Sequence, residues 1–106
     1  ENGSSFTSLT GLSNLASVGG WLFLSENAGL TDVDALSSLT SVGDYLSVYE
    51  NDALTNLNGL SSLTSVGAQV SIFDNPDLCP NSVYGFLAGC TIGGTVTTYD
   101  NTGTCP

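Results

Sequence analysis

The sequence predicts a repeat solenoid, of the α/β or mainly β class, with a parallel β-sheet on one face and 3₁₀ or extended segments on the other. Two observations predict this fold. The octet LSSLTSVG occurs at 36–43 and again at 60–67, which is 24 residues later, and a near-copy, LSNLASVG, occupies 12–19. Within each unit, the spacing of apolar residues then changes from three to two. Units that repeat at such a period stack, because one unit cannot bury its own apolar face.

The period-three part of each unit predicts the back wall of the solenoid. In the second unit the apolar residues at this spacing are Leu30, Val33, Leu36, Leu39 and Val42. The same spacing starts at Phe6 in the first unit and at Leu54 in the third. Side chains at i and i+3 eclipse on a 3₁₀ path, so this spacing favours 3₁₀ or extended backbone.

The period-two part of each unit predicts a short strand. The alternating residues are Leu22 and Leu24, Leu46 and Val48, Val70 and Ile72, and Val96 and Thr98. Alternation of this kind is typical of a strand with one buried face. We expect equivalent strands to pair in parallel across four rungs, about 6–29, 30–53, 54–77 and 78–106, within one domain, 1–106. The last rung is predicted to be a C-terminal cap.

The charge composition excludes several functions. The chain has ten acidic residues and neither Lys, Arg nor His. It cannot neutralise phosphates, so nucleic acid and anionic headgroups are not expected partners. It also lacks an imidazole base, an amine nucleophile and an arginine clamp, and its carboxylates are predicted on an open sheet without a pocket. We therefore expect no enzymatic activity.

Cysteine and hydroxyl content predicts an extracellular or cell-surface protein. Three Cys and abundant Ser, Thr, Asn and Gly suit an oxidising compartment. The triplet Asn2-Gly3-Ser4 is an N-glycosylation pattern, which places a candidate glycan on Asn2. No apolar run reaches the roughly 20 residues of a membrane span, so no membrane insertion is predicted. The first residues lack the basic segment of a signal peptide, so secretion would imply a chain that is already processed.

The units resemble the leucine-rich repeat. The pattern L-x-L-x-x-N-x-x-L is met by Leu22, Leu24, Asn27 and Leu30, and LTSVG followed by a strand and then EN or DNP is similar to the receptor-L-domain-like repeats of microbial surface proteins. The resemblance covers Phe6 to Leu78 in three consecutive units. It implies an inward ladder of Asn27, Asn51, Asn75 and Asn101 that satisfies buried backbone groups, which is a structural role.

Residues at equivalent positions are expected to form columns across the sheet, spaced by about 4.8 Å. The outward columns are Trp21, Tyr45, Gln69 and Thr95, then Phe23, Ser47, Ser71 and Thr97, then Ser25, Tyr49, Phe73 and Tyr99. Clustered exposed aromatic residues mark contact surfaces. The binding or assembly face is therefore predicted at Trp21, Phe23, Tyr45, Tyr49, Phe73 and Tyr99. The alternative is that the rings only stabilise one another.

An acidic column is predicted beside the aromatic residues, at Glu26, Glu50, Asp74 and Asp100. Unit charges about 5 Å apart repel by roughly 0.8 kcal/mol in water. Screening salt, raised carboxylate pKa values or a bound Ca²⁺ could each offset this repulsion. No EF-hand string is present, so no metal or other cofactor is assigned.

The cysteine spacing favours one disulfide. Cys79 follows Asn75 by four residues and Cys105 follows Asn101 by four. The two should therefore lie about 5 Å apart in one column, within disulfide range. A bond between Cys79 and Cys90 is the alternative. In the favoured pairing, Cys90 remains either as a small buried residue or as a thiol that can bond to another chain.

These patterns favour a secreted structural protein that associates with itself. The strand at 21–25 is predicted to present an unpaired edge, which is a template for further strand pairing. Head-to-tail contact through such an edge would build an extracellular filament or coat. The alternative is an adhesion module that binds a surface protein or glycan through its sheet face. A third hypothesis is an ice- or mineral-binding surface, although the outward columns mix aromatic, hydroxyl and amide side chains.

Overall fold

A computed structural model describes residues 3–6, 14–25 and 29–105, the side chains of 3–6 excepted. The chain forms two parallel β-sheets and one α-helix. The first sheet has the order β1-β3-β5-β7-β9 and the second has the order β2-β4-β6-β8. The strands of the first sheet are β1 (Gly3–Phe6), β3 (Trp21–Ser25), β5 (Leu46–Tyr49), β7 (Val70–Asn75) and β9 (Val96–Asn101). Those of the second are β2 (Ser17–Val18), β4 (Ser41–Val42), β6 (Ser65–Val66) and β8 (Thr91–Ile92).

The strand register follows the repeat spacing. Leu22 pairs with Leu46, Leu46 with Val70, and Val70 with Val96. The offsets are thus 24, 24 and 26 residues, as the sequence spacing predicts. The parallel pairing predicted for equivalent strands is confirmed for β3, β5, β7 and β9.

The core lies between the two sheets and the connecting turns. The inward residues Leu22 and Leu24 of β3 have no exposed surface, and the same holds for their counterparts in β5 and β7. Val18, Val42 and Val66 of the second sheet bury their side chains against them. Full burial of such a side chain stabilises the fold by about 1.5–3 kcal/mol, which makes this core the main source of stability.

The period-three segments contain 3₁₀ turns, as predicted. One turn covers Asp34–Leu36 and the next covers Asn58–Leu60. Each buries its Leu completely. The spacing of three therefore carries one side chain of each turn into the core.

Glycines allow the units to approach closely at the corner after the second sheet. The amide of Gly67 donates to the carbonyl of Val42 at 2.9 Å. A Cβ atom on Gly67 would overlap the carbonyl of Gly43, and one on Gly43 would overlap that of Gly19. The Gly of the repeated octet is thus required by the distance between neighbouring backbones.

The last unit contains an α-helix that the repeat pattern did not predict. Helix α1 (Pro80–Ala88) replaces the 3₁₀ turn of the earlier units and buries Val83 and Phe86. Pro80 stands at the start of the helix, where its missing N–H and fixed φ are tolerated. The prediction of 3₁₀ or extended backbone opposite the sheet is wrong for this unit, because two extra residues permit a full helical path.

The edge of β3 is not open. Strand β1 pairs in parallel with β3, with Gly3 opposite Trp21 and Phe6 opposite Leu24. The prediction of an unpaired edge at 21–25 is therefore wrong, and Phe6 lies in a strand and not in the back wall. The period-three pattern misassigned Phe6 because it continues smoothly from that residue into the first octet.

Candidate functional site: the outer face of the five-stranded sheet

The outward columns occupy one face of the five-stranded sheet, as predicted. Phe23 lies opposite Ser47, Ser47 opposite Ser71, and Ser71 opposite Thr97. The other paired column is Ser25, Tyr49, Phe73 and Tyr99. Since adjacent strands of a sheet lie about 4.8 Å apart, each column is a continuous row of side chains.

Three aromatic rings form a stack along one column. The ring centroids of Tyr49 and Phe73 are 5.0 Å apart with an interplanar angle of 8°. Those of Phe73 and Tyr99 are 4.9 Å apart at 15°. Such pairs contribute about 0.5–1.5 kcal/mol each beyond area burial. The rings therefore contact one another, as the stabilising interpretation expects, and Tyr99 is still 49% exposed.

A second aromatic group lies nearer the start of the strands. Trp21 and Phe23 on β3 have ring centroids 4.6 Å apart, and both are half-buried. Tyr45 precedes β5 and is 40% exposed. The short hydroxyl side chains of Ser47 and Ser71 separate this group from the ring stack. The face thus carries two aromatic groups around a small polar centre.

The acidic column follows the ring stack at the ends of the strands. Glu50, Asp74 and Asp100 all have left-handed backbone, with φ of 57°, 55° and 56°. L-residues rarely adopt this conformation, which costs about 1–3 kcal/mol per residue. The amide of Glu50 donates to the carbonyl of Asp74 at 3.1 Å. Glu26 lies outside the described residues.

The electrostatic cost of this column appears at its central carboxyl. The pKa of Asp74 is raised, first by desolvation, then by a hydrogen bond with Asp100 and by the charge of Asp100. A raised pKa was one of three predicted responses to repulsion. The shift lies in the direction that reduces repulsion between neighbouring carboxylates of the column.

A shallow depression beside the acidic column is lined by Glu50, Asp52, Asp74 and Asp100, together with Pro76 and Thr102. Within residues 14–25 and 29–105, no three acidic or thiol side chains are grouped to hold a metal ion. A Ca²⁺ ion bound at the acidic column stays a prediction.

The inward Asn ladder is confirmed for three of its four members. Asn51 Nδ2 donates to the Leu24 carbonyl at 2.9 Å and to Asn75 Oδ1 at 3.1 Å. Asn75 Nδ2 donates to the Val48 carbonyl at 3.1 Å and to Asn101 Oδ1 at 2.8 Å. Asn51 and Asn75 are fully buried. These amides are structural, while Asn27 lies outside the described residues, as does Asn2 with its glycosylation pattern.

The favoured disulfide is present. Cys79 and Cys105 are bonded, with Cα atoms 4.9 Å apart. The alternative pairing with Cys90 is wrong. Cys90 is a free, half-buried thiol that packs against the core, and burial raises its pKa. This half-buried position against the core agrees better with the prediction of a small buried residue than with that of a thiol that bonds to another chain.

One exposed aromatic residue was missed by sequence reasoning. Tyr84 lies on α1 and is 61% exposed. The signal was present in the helix pattern, because Val83, Phe86 and Leu87 follow helical spacing and Tyr84 falls off their face. Tyr84, Tyr99 and Asp100 line a separate depression at the far end of the sheet.

Comparisons of the chain with family models, curated proteins and solved structures found no match. Within the described part of the chain, no helix has the length and apolar character needed to cross a membrane. Because the comparisons give no relative, the site is interpreted from its own geometry and charge.

Proposed function

We propose that this chain is a non-enzymatic, extracellular leucine-rich-repeat solenoid that binds a surface protein or glycan through the outer face of its five-stranded sheet. The leucine-rich-repeat assignment is supported by the in-register parallel strands, the 3₁₀ turns and the buried Asn ladder. A disulfide is compatible with an oxidising, extracellular setting.

The arrangement of aromatic side chains carries this proposal. Two aromatic groups stand on one face around a small hydroxyl centre. Tyr and Trp combine a large contact area with a polar group and few rotatable bonds, which is why they are enriched at interfaces. Tyr45 belongs to none of the three ring pairs found among the described residues and is 40% exposed, so its side chain is accessible to a partner.

Net charge restricts the partner. The formal charge is −10 and no side chain is cationic. Long-range electrostatic interaction therefore attracts basic partners and repels sulfated or phosphorylated ones, while neutral partners are neither attracted nor repelled. The acidic column lies directly beside the ring stack. The discrimination between basic and anionic partners therefore acts next to the proposed contact face.

A binding screen tests the proposal. Immobilised chain is presented with neutral, basic and anionic glycans and with basic extracellular proteins, and each hit is repeated with Tyr45→Ala and with Asn58→Ala. Both changes shorten an exposed side chain, but Asn58 lies in a 3₁₀ turn and not on the sheet. We expect at least a fivefold weakening for Tyr45→Ala, as for an interface residue that costs about 1 kcal/mol. Equal effects of the two changes on every hit would contradict the proposed face.

Self-association into a filament or coat is a second candidate, and one observation favours it. The inward residue Val96 of β9 is 46% exposed, whereas its counterpart Val70 has no exposed surface. The end of the sheet at β9 thus leaves apolar surface and a strand edge without a neighbour among the described residues. A further copy could cover both.

Sedimentation velocity at several protein and salt concentrations tests this second candidate. Because each copy carries ten negative charges, association should strengthen as salt screens the repulsion. A chain that stays monomeric at high protein concentration and high salt, both reduced and oxidised, would rule it out.

A further inference from the structure

A depression at the end of the sheet lies between the helix and the last strand. Its walls are Pro80, Val83 and Tyr84 from α1 and residues 98–101 from β9. Its volume is about 150 Å³, and a cavity of roughly this size can hold a molecule as large as benzene. It differs from the sheet face proposed above because three of its seven lining residues belong to the helix, although Tyr99 is common to both.

Two aromatic rings in this depression are accessible. Tyr84 is 61% exposed and Tyr99 is 49% exposed. One face of the Tyr99 ring stacks on Phe73. No ring of the described residues is paired with its other face, and β9 is the terminal strand of its sheet among those residues. The stack therefore ends in an open π-face at the rim of the depression.

The same depression contains one carboxyl group, that of Asp100. An open aromatic face, a second tyrosine and an acidic group combine the two attractions that organic cations use, namely ring quadrupole and opposite charge. The chain has no Lys, Arg or His that could occupy the site itself. No side chain of residues 1–106 can therefore supply the cation.

We propose that the depression between α1 and β9 binds an organic cation, either the guanidinium or ammonium group of a partner's side chain or a small alkylammonium compound. The cation lies against Tyr84 and the free face of Tyr99 and pairs with Asp100. A compact metal ion is not the expected ligand, because a single carboxylate offers too few oxygen ligands for Ca²⁺.

Titration by NMR tests this proposal on the intact chain. The probes are N-acetyl-arginine amide for a side chain and tetramethylammonium for a small cation. N-acetyl-citrulline amide and tert-butanol are their uncharged counterparts. We expect shift changes at the amides of Tyr84, Thr98 and Tyr99 with the charged probes only. Stronger binding of the arginine compound would indicate a polypeptide source, and stronger binding of tetramethylammonium a small-molecule source.

Variants assign the binding to its residues. Tyr84→Ala should weaken the charged probe about two- to fivefold, as for an exposed cation–π contact, while Tyr84→Phe should retain affinity. Asp100→Asn should weaken binding and reduce its salt dependence, and Asn tolerates the left-handed backbone of this position. Tyr45→Ala is the matched control and should have no effect.

Three results would overturn the proposal. The uncharged probes could bind as well as the charged ones, which would make the depression merely apolar. Tyr84→Ala could leave the dissociation constant unchanged. Finally, the shift changes could map to Glu50 and Asp52 instead, which would indicate diffuse attraction to the acidic column.

Discussion

Replacing Asn75 by Ala is expected to destabilise the fold more than its size suggests. Its side chain is fully buried and makes four hydrogen bonds in the ladder. Oδ1 accepts from the backbone N–H and from Nδ2 of Asn51, each at 3.1 Å. Nδ2 donates to the Val48 carbonyl and to Asn101 Oδ1. Alanine removes these four bonds at once. The partner groups in the buried part of the ladder then have no water molecule to bond in place of Asn75.

The magnitude follows from counting these groups. A net loss of about 1 kcal/mol per hydrogen bond gives roughly 4 kcal/mol, and unpaired buried groups can cost about 1–3 kcal/mol each. Relaxation of the neighbouring amides reduces the total, so we expect a loss of about 3–6 kcal/mol. A domain is stabilised by only about 5–15 kcal/mol, so this loss is a large fraction of the total stability.

Urea denaturation followed by circular dichroism measures this loss. Asn58→Ala is the matched control, because Asn58 is exposed and its side-chain amide makes no hydrogen bond within the described residues. The control should change the free energy of unfolding by no more than about 0.5 kcal/mol. A loss below about 1 kcal/mol for Asn75→Ala, or equal losses in the two variants, would refute the structural role of the ladder.

Three further predictions concern stability. Cys105→Ser opens a disulfide loop with a sequence separation of 26 and should lower the free energy of unfolding by about 3.5 kcal/mol on the chain-entropy model; an unchanged urea midpoint would contradict this. Gly67→Ala should lower the melting temperature markedly because its Cβ would overlap a neighbouring backbone, whereas Gly29→Ala, with no atom within 4 Å of the added Cβ, should not. The raised pKa of Asp74 means that the folded state binds the proton more tightly than the unfolded state. Stability should therefore fall as pH rises from the unfolded pKa through the folded one. Asp74→Asn should flatten this dependence in pH-dependent melting, and exposed Asp77→Asn should not; equal slopes would disprove the assignment.

The sequence by itself determined the sheet register and the buried face, and it favoured the disulfide that the structure contains. Each follows from one property of stacked units, namely that residues separated by one repeat lie side by side. The alternation at Leu46 and Val48 places both in the core, and the equal distance of Cys79 and Cys105 from the ladder Asn residues places them in contact. Counting residues from one repeat to the next requires no knowledge of the loops, so the amino-acid sequence was sufficient.

Only the tertiary structure decided where the repeats give way to other structure. Strand β1 covers the edge of β3 through backbone hydrogen bonds, which depend little on side-chain identity and leave no pattern in the letters. Helix α1 replaces a 3₁₀ turn because the last unit is longer, and it brings Tyr84 to the same depression as Tyr99. The stacked rings and the left-handed acids likewise depend on rotamers and on packing between strands. The repeat was therefore enough to predict the scaffold, whereas the candidate sites could be identified only from the three-dimensional contacts between units.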